Sequence, residues 1–176
     1  MQKQHNFVES LRSVVSVGFD FALAGGCCRN TVFGLTPKDY DVVIILNDPE
    51  HRTHKGAFEL IKELSAAISI MGGSSRCICA YGIGEFGERH LALLKVSYEG
   101  DEYDLLIEPV GTIKEAVDAF DCNINQLIFV SGLGVLPLYP NLDVHNAPLV
   151  WLKEVSEKRR LCMETWHSMY IKGNAL

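Results

Sequence analysis

Apolar residues recur along the chain with two spacings, one typical of α-helices and one typical of β-strands. Helical spacing predicts helices over residues 6–17, 27–33, 51–70, 113–120 and 148–171. Alternating or continuous β-branched runs predict strands over residues 21–24, 42–46, 76–81, 90–98 and 102–109. This order of elements predicts an α/β (α+β) fold, with a mixed twisted sheet of about four to five strands flanked by helices on one side.

Two glycine-containing segments separate the later strands. Residues 81–89 are rich in glycine and predict a mobile loop that closes over a substrate. Residues 99–101, with the sequence Glu-Gly-Asp, predict a tight hairpin turn between the last two strands.

Length and composition indicate a single globular domain of ordinary character. The chain has 176 residues, of which 48% are hydrophobic and 22% charged. No apolar run approaches the roughly 20 residues of a membrane span, and the first residues lack the apolar core of a signal peptide, so we expect a cytoplasmic protein and no membrane partner. The net charge of −6 argues against a broad basic surface for nucleic acid, although it leaves room for a local basic groove.

The stretch from residue 21 to residue 46 joins two predicted strands through a glycine pair and a short helical run. Gly25 and Gly26 lack a Cβ, so another group can approach the backbone there, and the following helix would direct its first N–H groups at an anion such as phosphate. Asp39 and Asp41 share one face of the second strand. Adjacent carboxylates repel unless a cation lies between them, and Mg²⁺ prefers such ligands. The stretch therefore predicts metal-assisted nucleotidyl or phosphoryl transfer.

The same residues resemble a known motif. AGGCCRN…PKDYDVVI is similar to the GGxVRD…KDxD motif of the DNA polymerase β-like nucleotidyltransferase superfamily, especially the catalytic head of bacterial-type (class II) CCA-adding enzymes and poly(A) polymerases. The matching residues are Gly25, Gly26, Arg29, Lys38, Asp39 and Asp41. Asn30 stands where the family usually has Asp.

The resemblance implies the polymerase β-like fold and a reaction. A nucleoside monophosphate would pass from an NTP, such as ATP, to an acceptor hydroxyl, with release of pyrophosphate. Mg²⁺ or Mn²⁺ would be held by Asp39 and Asp41, and the phosphates would be received by Gly25, Gly26 and Arg29.

A third carboxylate of the superfamily pattern matches Asp104, which lies within an apolar predicted strand. The resemblance implies that Asp104 completes the catalytic and metal-binding set. Glu102 and Glu108 fall on the same face of that strand by alternation, so either could be the third ligand instead. A strand-edge Asp facing water is the plain structural alternative for Asp104.

Two further segments resemble motifs of the same enzymes. DCNINQL is similar to RDFTINAL, which implies that Asp121 and Asn125 position the nucleotide. Phe120 replaces the arginine of that motif, so phosphate binding must depend on Arg29, Lys38 or another residue. SEKRR faintly resembles EDxxR, which implies that Glu157 and Arg160 read the nucleobase; the alternative is a surface ion pair.

The resemblance leaves the acceptor open. Known CCA-adding enzymes continue into helical neck, body and tail domains that bind tRNA, whereas residues 1–176 are expected to form the catalytic domain alone. The acceptor could be RNA, above all a tRNA 3′ end, a small molecule as in antibiotic-modifying adenylyltransferases, or a protein as in nucleotidyltransferase toxins. A nucleotide-binding regulator without turnover is the alternative from another class.

Overall fold

The computed structural model describes residues 1–79 and 90–171, without the side chain of Cys79, and the predicted loop at 81–89 lies outside them. The helices are α1 (Gln2–Val14), α2 (Gly26–Val32), α3 (His54–Ile70), α4 (Ile113–Asp118) and α5 (Glu157–Tyr170), with 3₁₀ turns at Pro49–His51 and Asn123–Asn125. The strands are β1 (Phe19–Leu23), β2 (Tyr40–Leu46), β3 (Ser74–Cys79), β4 (Ala92–Tyr98), β5 (Asp101–Glu108), β6 (Leu127–Val130) and β7 (Gly134–Pro137). None of the described helices is both long and apolar enough to cross a membrane.

The main sheet has five strands in the order β1-β2-β5-β4-β3, and β6 and β7 form a separate hairpin. β2 and β5 are parallel, while the other pairs in the sheet are antiparallel, so the predicted mixed sheet is confirmed. Parallel pairing places Asp41 directly opposite Asp104, and β4 places Lys95 opposite Asp104 from the other side. Directly paired residues point to the same face of a sheet, so these three side chains form a row across it.

Helices cover both faces of the sheet, and the prediction of helices on one side only was wrong. On one face, apolar residues of α1 and α3 pack in a single cluster with alternate residues of the strands, among them Ile44. On the other face, Ala116 and Val117 of α4 pack against Val43 and Ile45. The reason is the uninterrupted apolar run of β2, which requires cover on both of its faces.

The last helix begins at Glu157 and not near residue 148 as predicted. The residues before it run extended: Trp151 forms an antiparallel bridge with Cys122, and the backbone N–H of Leu152 donates to the carbonyl of Asp121 at 2.9 Å. These bonds attach the segment to the candidate site. Apolar spacing alone does not separate such a half-buried extended stretch from a helix.

Candidate active site

Most of the predicted site residues meet in one cleft of about 1520 Å³. Its lining includes Gly25, Gly26, Arg29, Lys38, Asp39, Asp41, Asp104, Asp121 and Asn125. The lining also includes Lys153 and Arg159, which the sequence did not indicate. Glu157 and Arg160 are not among the described residues of the lining, and the guanidinium of Arg160 lies instead 5.3 Å from the ring centre of Trp151. Their role in reading the nucleobase stays a prediction.

Asp39, Asp41 and Asp104, named here the carboxylate cluster, converge at the start of β2 and on β5. Asp41 and Asp104 are register partners on adjacent strands, and Asp39 comes directly before β2. Burial, together with the negative charges of Asp39 and Asp104, raises the pKa of Asp41 to about 7. Three acids in this arrangement repel one another, and a bound cation would relieve that repulsion.

Lys95 already neutralises one member of the cluster. Its Nζ donates to Oδ1 of Asp104 at 2.6 Å and to Oδ2 at 2.8 Å. The Asp104 side chain is 18% exposed and the Lys95 side chain 43% exposed, so the pair is partly shielded from water. Asp104 therefore lies with the acid pair, but both of its oxygens already accept a hydrogen bond from Lys95.

The two alternative third acids have partners of their own. Glu102 accepts a hydrogen bond from the Ser97 hydroxyl. Glu108 is buried, and its Oε1 lies 2.9 Å from Nδ1 of His90. Neither glutamate is among the described residues that line the cleft, so the structure does not support either as the third ligand.

The carboxylate cluster fits a metal in part. Within residues 1–79 and 90–171, no group of three His, Cys, Asp or Glu side chains is arranged to hold a metal ion. Asp39 and Asp41 supply the oxygen donors that Mg²⁺ prefers, and Mg²⁺ commonly takes one or two carboxylates and completes its shell with water and substrate phosphate. The residues present therefore fit one divalent cation on Asp39 and Asp41, with Asp104 held apart by Lys95.

A second set of polar side chains lines the cleft as a continuous hydrogen-bonded series, named here the arginine network. Arg29 Nη1 donates to Oδ1 of Asn125 at 2.6 Å, Nδ2 of Asn125 donates to Oδ1 of Asp121 at 2.8 Å, and Nε of Arg159 donates to Oδ2 of Asp121 at 2.6 Å. Burial alone would raise the pKa of Asp121, but the hydrogen bonds from Arg159 and Asn125 outweigh it and hold that pKa below its ordinary value. The charges of this network are therefore paired internally.

Arg29 is a buried member of the arginine network and is only 7% exposed. Its guanidinium lies 4.3 Å from the ring centre of Trp166. Nε and Nη2 both donate to Oδ1 of Asn30, at 3.3 and 3.0 Å. Asn30, which replaces the aspartate of the family motif, thus still holds the arginine, but with a neutral acceptor. Phosphate binding by Arg29 stays a prediction, and the geometry gives this residue a structural role.

Arg159 is one of two cations in the described lining of the cleft that sequence reasoning missed, because its spacing within the predicted helix 148–171 is that of the apolar residues. Its side chain is 43% exposed, lines the cleft and pairs with Asp121. Arg160 is one residue further along α5, a rotation of about 100° around the helix axis, which directs it away from Arg159. Asp121 could have pointed to Arg159, because a largely buried carboxylate requires a cationic partner and Phe120 beside it provides none.

The glycine pair fits closely between Phe120 and the carboxylate cluster. Gly25 has φ +74°, and a Cβ there would lie 3.1 Å from Cε2 of Phe120 and 3.5 Å from Oδ2 of Asp41. Phe120 itself packs in the apolar cluster beneath α4. The phenylalanine therefore supports the turn after β1.

Comparison with known proteins identifies the fold. No protein-family model and no curated protein matches the chain. Among solved structures, the chain is similar to the Bacillus stearothermophilus CCA-adding enzyme in complex with CTP, with 14% identity, a TM-score of 0.55, and coverage of 96% of this chain and 37% of that one. It is also similar to the Thermotoga maritima CCA-adding enzyme complexed with tRNA_CCA, with 16% identity, a TM-score of 0.56, and coverage of 93% and 37%.

These similarities confirm the predicted fold, since the match extends over almost the whole of this chain. The chain spans only about a third of the length of these structures, 37% in both cases. At such identities the comparison establishes shared architecture, and the chemistry has to be argued from the cleft.

Proposed function

We propose that this protein transfers a nucleoside monophosphate from an NTP to an acceptor hydroxyl and releases pyrophosphate, in a reaction that depends on Mg²⁺ or Mn²⁺. The observation that carries the proposal is the carboxylate cluster inside a large cleft, where burial and the charges of Asp39 and Asp104 raise the pKa of Asp41 to about 7. Its fold is shared with CCA-adding enzymes, one of which was solved in complex with CTP.

The protein's own residues divide the work between anion and cation binding. Asp39 and Asp41 would hold the divalent cation. When bound, the cation would neutralise charge on the triphosphate and lower the pKa of the acceptor hydroxyl. Lys38 and Arg159 line the same cleft and offer positive charge to the phosphates.

The reaction is a nucleophilic displacement at the α-phosphorus of the NTP. The acceptor oxygen forms a bond to the α-phosphorus, and the bond from that phosphorus to the oxygen bridging to the β-phosphate breaks. Pyrophosphate carries away the electron pair, and the hydroxyl proton passes to water. The residues of the cleft position the two reactants for this in-line attack.

An RNA 3′ end is the acceptor that the structural neighbours favour, because one of them is complexed with tRNA_CCA. A small molecule or a protein would also suit a chain whose net charge is −6. The test is incubation of the protein with each labelled NTP, Mg²⁺ and, in separate reactions, pooled RNA, a metabolite extract and a protein extract. We expect labelled product and free pyrophosphate with one acceptor class, and neither with the double variant Asp39→Asn, Asp41→Asn.

A nucleotide-binding regulator without turnover is the second candidate. Two observations favour it: Lys95 occupies both oxygens of Asp104, and Arg29 is buried within the arginine network. Calorimetry with each NTP and Mg²⁺ separates the two functions when it is combined with the labelling experiment. Binding without any labelled product would favour the regulator, and binding with product would favour the enzyme.

A further inference from the structure

We infer that Lys95 is a built-in counter-cation that withholds Asp104 from the metal site, so that the nucleotide-free protein binds a single divalent ion on Asp39 and Asp41. This inference rests on the proposed function for the presence of a metal site. It goes beyond that function because it assigns a role to Lys95 and removes Asp104 from the set of ligands that the sequence predicted.

Strand register builds the arrangement. Lys95, Asp104 and Asp41 lie opposite one another on β4, β5 and β2, so their side chains form a row on one face of the sheet. The ammonium group contacts both carboxylate oxygens, at 2.6 and 2.8 Å. A metal ion that used Asp104 would have to share its oxygens with, or displace, an ammonium that the backbone pairing holds directly alongside.

Charge supports the same conclusion. With all four groups ionised, the three carboxylates of the cluster and the ammonium of Lys95 carry two net negative charges. One ammonium among three carboxylates leaves a charge that a single divalent ion neutralises, so a second ion would enter a site with little remaining attraction. A second cation, where the reaction uses one, must therefore arrive with the triphosphate and bind mainly to phosphate oxygens.

The test is a double-mutant cycle in which Mn²⁺ alone is titrated into the full chain and followed by electron paramagnetic resonance and calorimetry. The proteins are the wild type, Asp104→Asn, Lys95→Met and the variant with both changes. Lys62→Met is the matched control, because Lys62 is an exposed lysine of α3, which covers the opposite face of the sheet. The cycle separates ligation by Asp104 from the general loss of one positive charge.

We expect the wild type to bind one Mn²⁺ per chain, with an affinity that Asp104→Asn alters by less than about threefold. Lys95→Met should tighten Mn²⁺ binding about tenfold or add a second ion, because Asp104 becomes available as a ligand. Asp104→Asn made in the Lys95→Met background should cancel that gain. Lys62→Met should leave Mn²⁺ binding at the wild-type level.

Three outcomes would overturn the inference. The first is a large loss of Mn²⁺ affinity in Asp104→Asn while Lys95 is present. The others are a gain of Mn²⁺ affinity in Lys95→Met that survives in the double variant, or an equal gain of affinity in Lys62→Met. Thermal melts check that each variant folds. The variant with both changes lacks both charges, so it leaves no unpaired charge at this position. If Lys95→Met does not fold, the comparison of Asp104→Asn with the wild type still tests whether Asp104 is a ligand. Failure of the proposed metal site has a different signature, because the wild type would then bind Mn²⁺ no better than the variant Asp39→Asn, Asp41→Asn.

Discussion

The carboxylate cluster and the arginine network line the same cleft but differ in how their charges are balanced. In the cluster, burial and the neighbouring like charges together raise the pKa of Asp41 to about 7. In the network, Asp121 is hydrogen-bonded by both Arg159 and Asn125, and its pKa is lowered. The unpaired negative charge of the carboxylate cluster indicates a site for a cationic ligand. The internally paired charges of the arginine network indicate residues that stabilise the fold around that site. The two regions should therefore respond in opposite ways to substitution.

The largest expected effect is the loss of catalysis when the acid pair is neutralised. The double variant Asp39→Asn, Asp41→Asn should lower the rate of nucleotidyl transfer at least about a thousandfold, equivalent to about 4 kcal/mol in the transition state. Its melting temperature should not fall, because the substitution removes repulsion. Radiolabel transfer and thermal melts measure the two properties, with the exposed Asp20→Asn on β1 as the control. Full activity in the double variant would refute the proposed function.

The arginine network should show the reverse pattern, with a large effect on stability. Asp121→Ala leaves Arg159 and Asn125 without their shared acceptor and should lower the free energy of unfolding by about 2–4 kcal/mol. Urea denaturation measures the change. Glu9→Ala is the control, since it removes an exposed ion pair with Arg12 and should cost under about 1 kcal/mol. Equal losses in the two variants would mean that the network does not act as a scaffold.

Sequence reasoning performed differently in the two regions for a physical reason. The glycine pair and the acid pair lie within one short stretch, where strand alternation alone places Asp39 and Asp41 together. The arginine network joins residues that are far apart in the chain, as in the hydrogen bond between Arg29 and Asn125, which are 96 positions apart. Local periodicity contains no information on such contacts, and Arg159 shares the helical spacing of the apolar residues in the predicted last helix.

The pairing of Lys95 with Asp104 depends on the length of the hairpin turn, which was predicted one residue too long, since Asp101 belongs to β5. Glu99 and Gly100 have φ values of +49° and +81°, as expected for a two-residue turn between twisted strands. With Tyr98 paired to Asp101, the antiparallel register places Lys95 opposite Asp104. Turn length fixes register, so the predicted three-residue turn over residues 99–101 would have placed Lys95 opposite Leu105, and the observed contact requires the shorter turn.

A smaller effect is expected in the pH dependence of stability. The pKa of Asp41 is raised from 3.8 to about 7, so between about pH 4 and pH 7 the folded state holds a proton that the unfolded state has lost. The free energy of unfolding should therefore fall as the pH rises through this range, by about 2 kcal/mol once screening by water at this partly exposed group is allowed for.

Asp41→Asn provides the comparison for this pH dependence. The variant should show a flatter profile from pH 4 to pH 7 and a higher melting temperature than the wild type at pH 7.5. Mg²⁺ should stabilise the wild type more at pH 7.5 than at pH 5, while NaCl at equal ionic strength should not. Parallel profiles for wild type and variant would show that burial and the neighbouring acids do not raise the pKa of Asp41 as the structure indicates.

The smallest effect tests whether Arg159 belongs to the scaffold alone or also to the binding site. Arg159→Lys keeps the positive charge beside Asp121, so the melting temperature should change little, but it removes the planar fork that can bind two phosphate oxygens. We expect the affinity for NTP in the presence of Mg²⁺ to weaken about three- to tenfold. Calorimetry measures this, and Lys158→Gln, an exposed neighbour on α5, should leave the affinity unchanged. Unaltered affinity in Arg159→Lys would confine Arg159 to the scaffold and turn attention to Lys38 and Lys153, the other exposed cations of the described cleft lining.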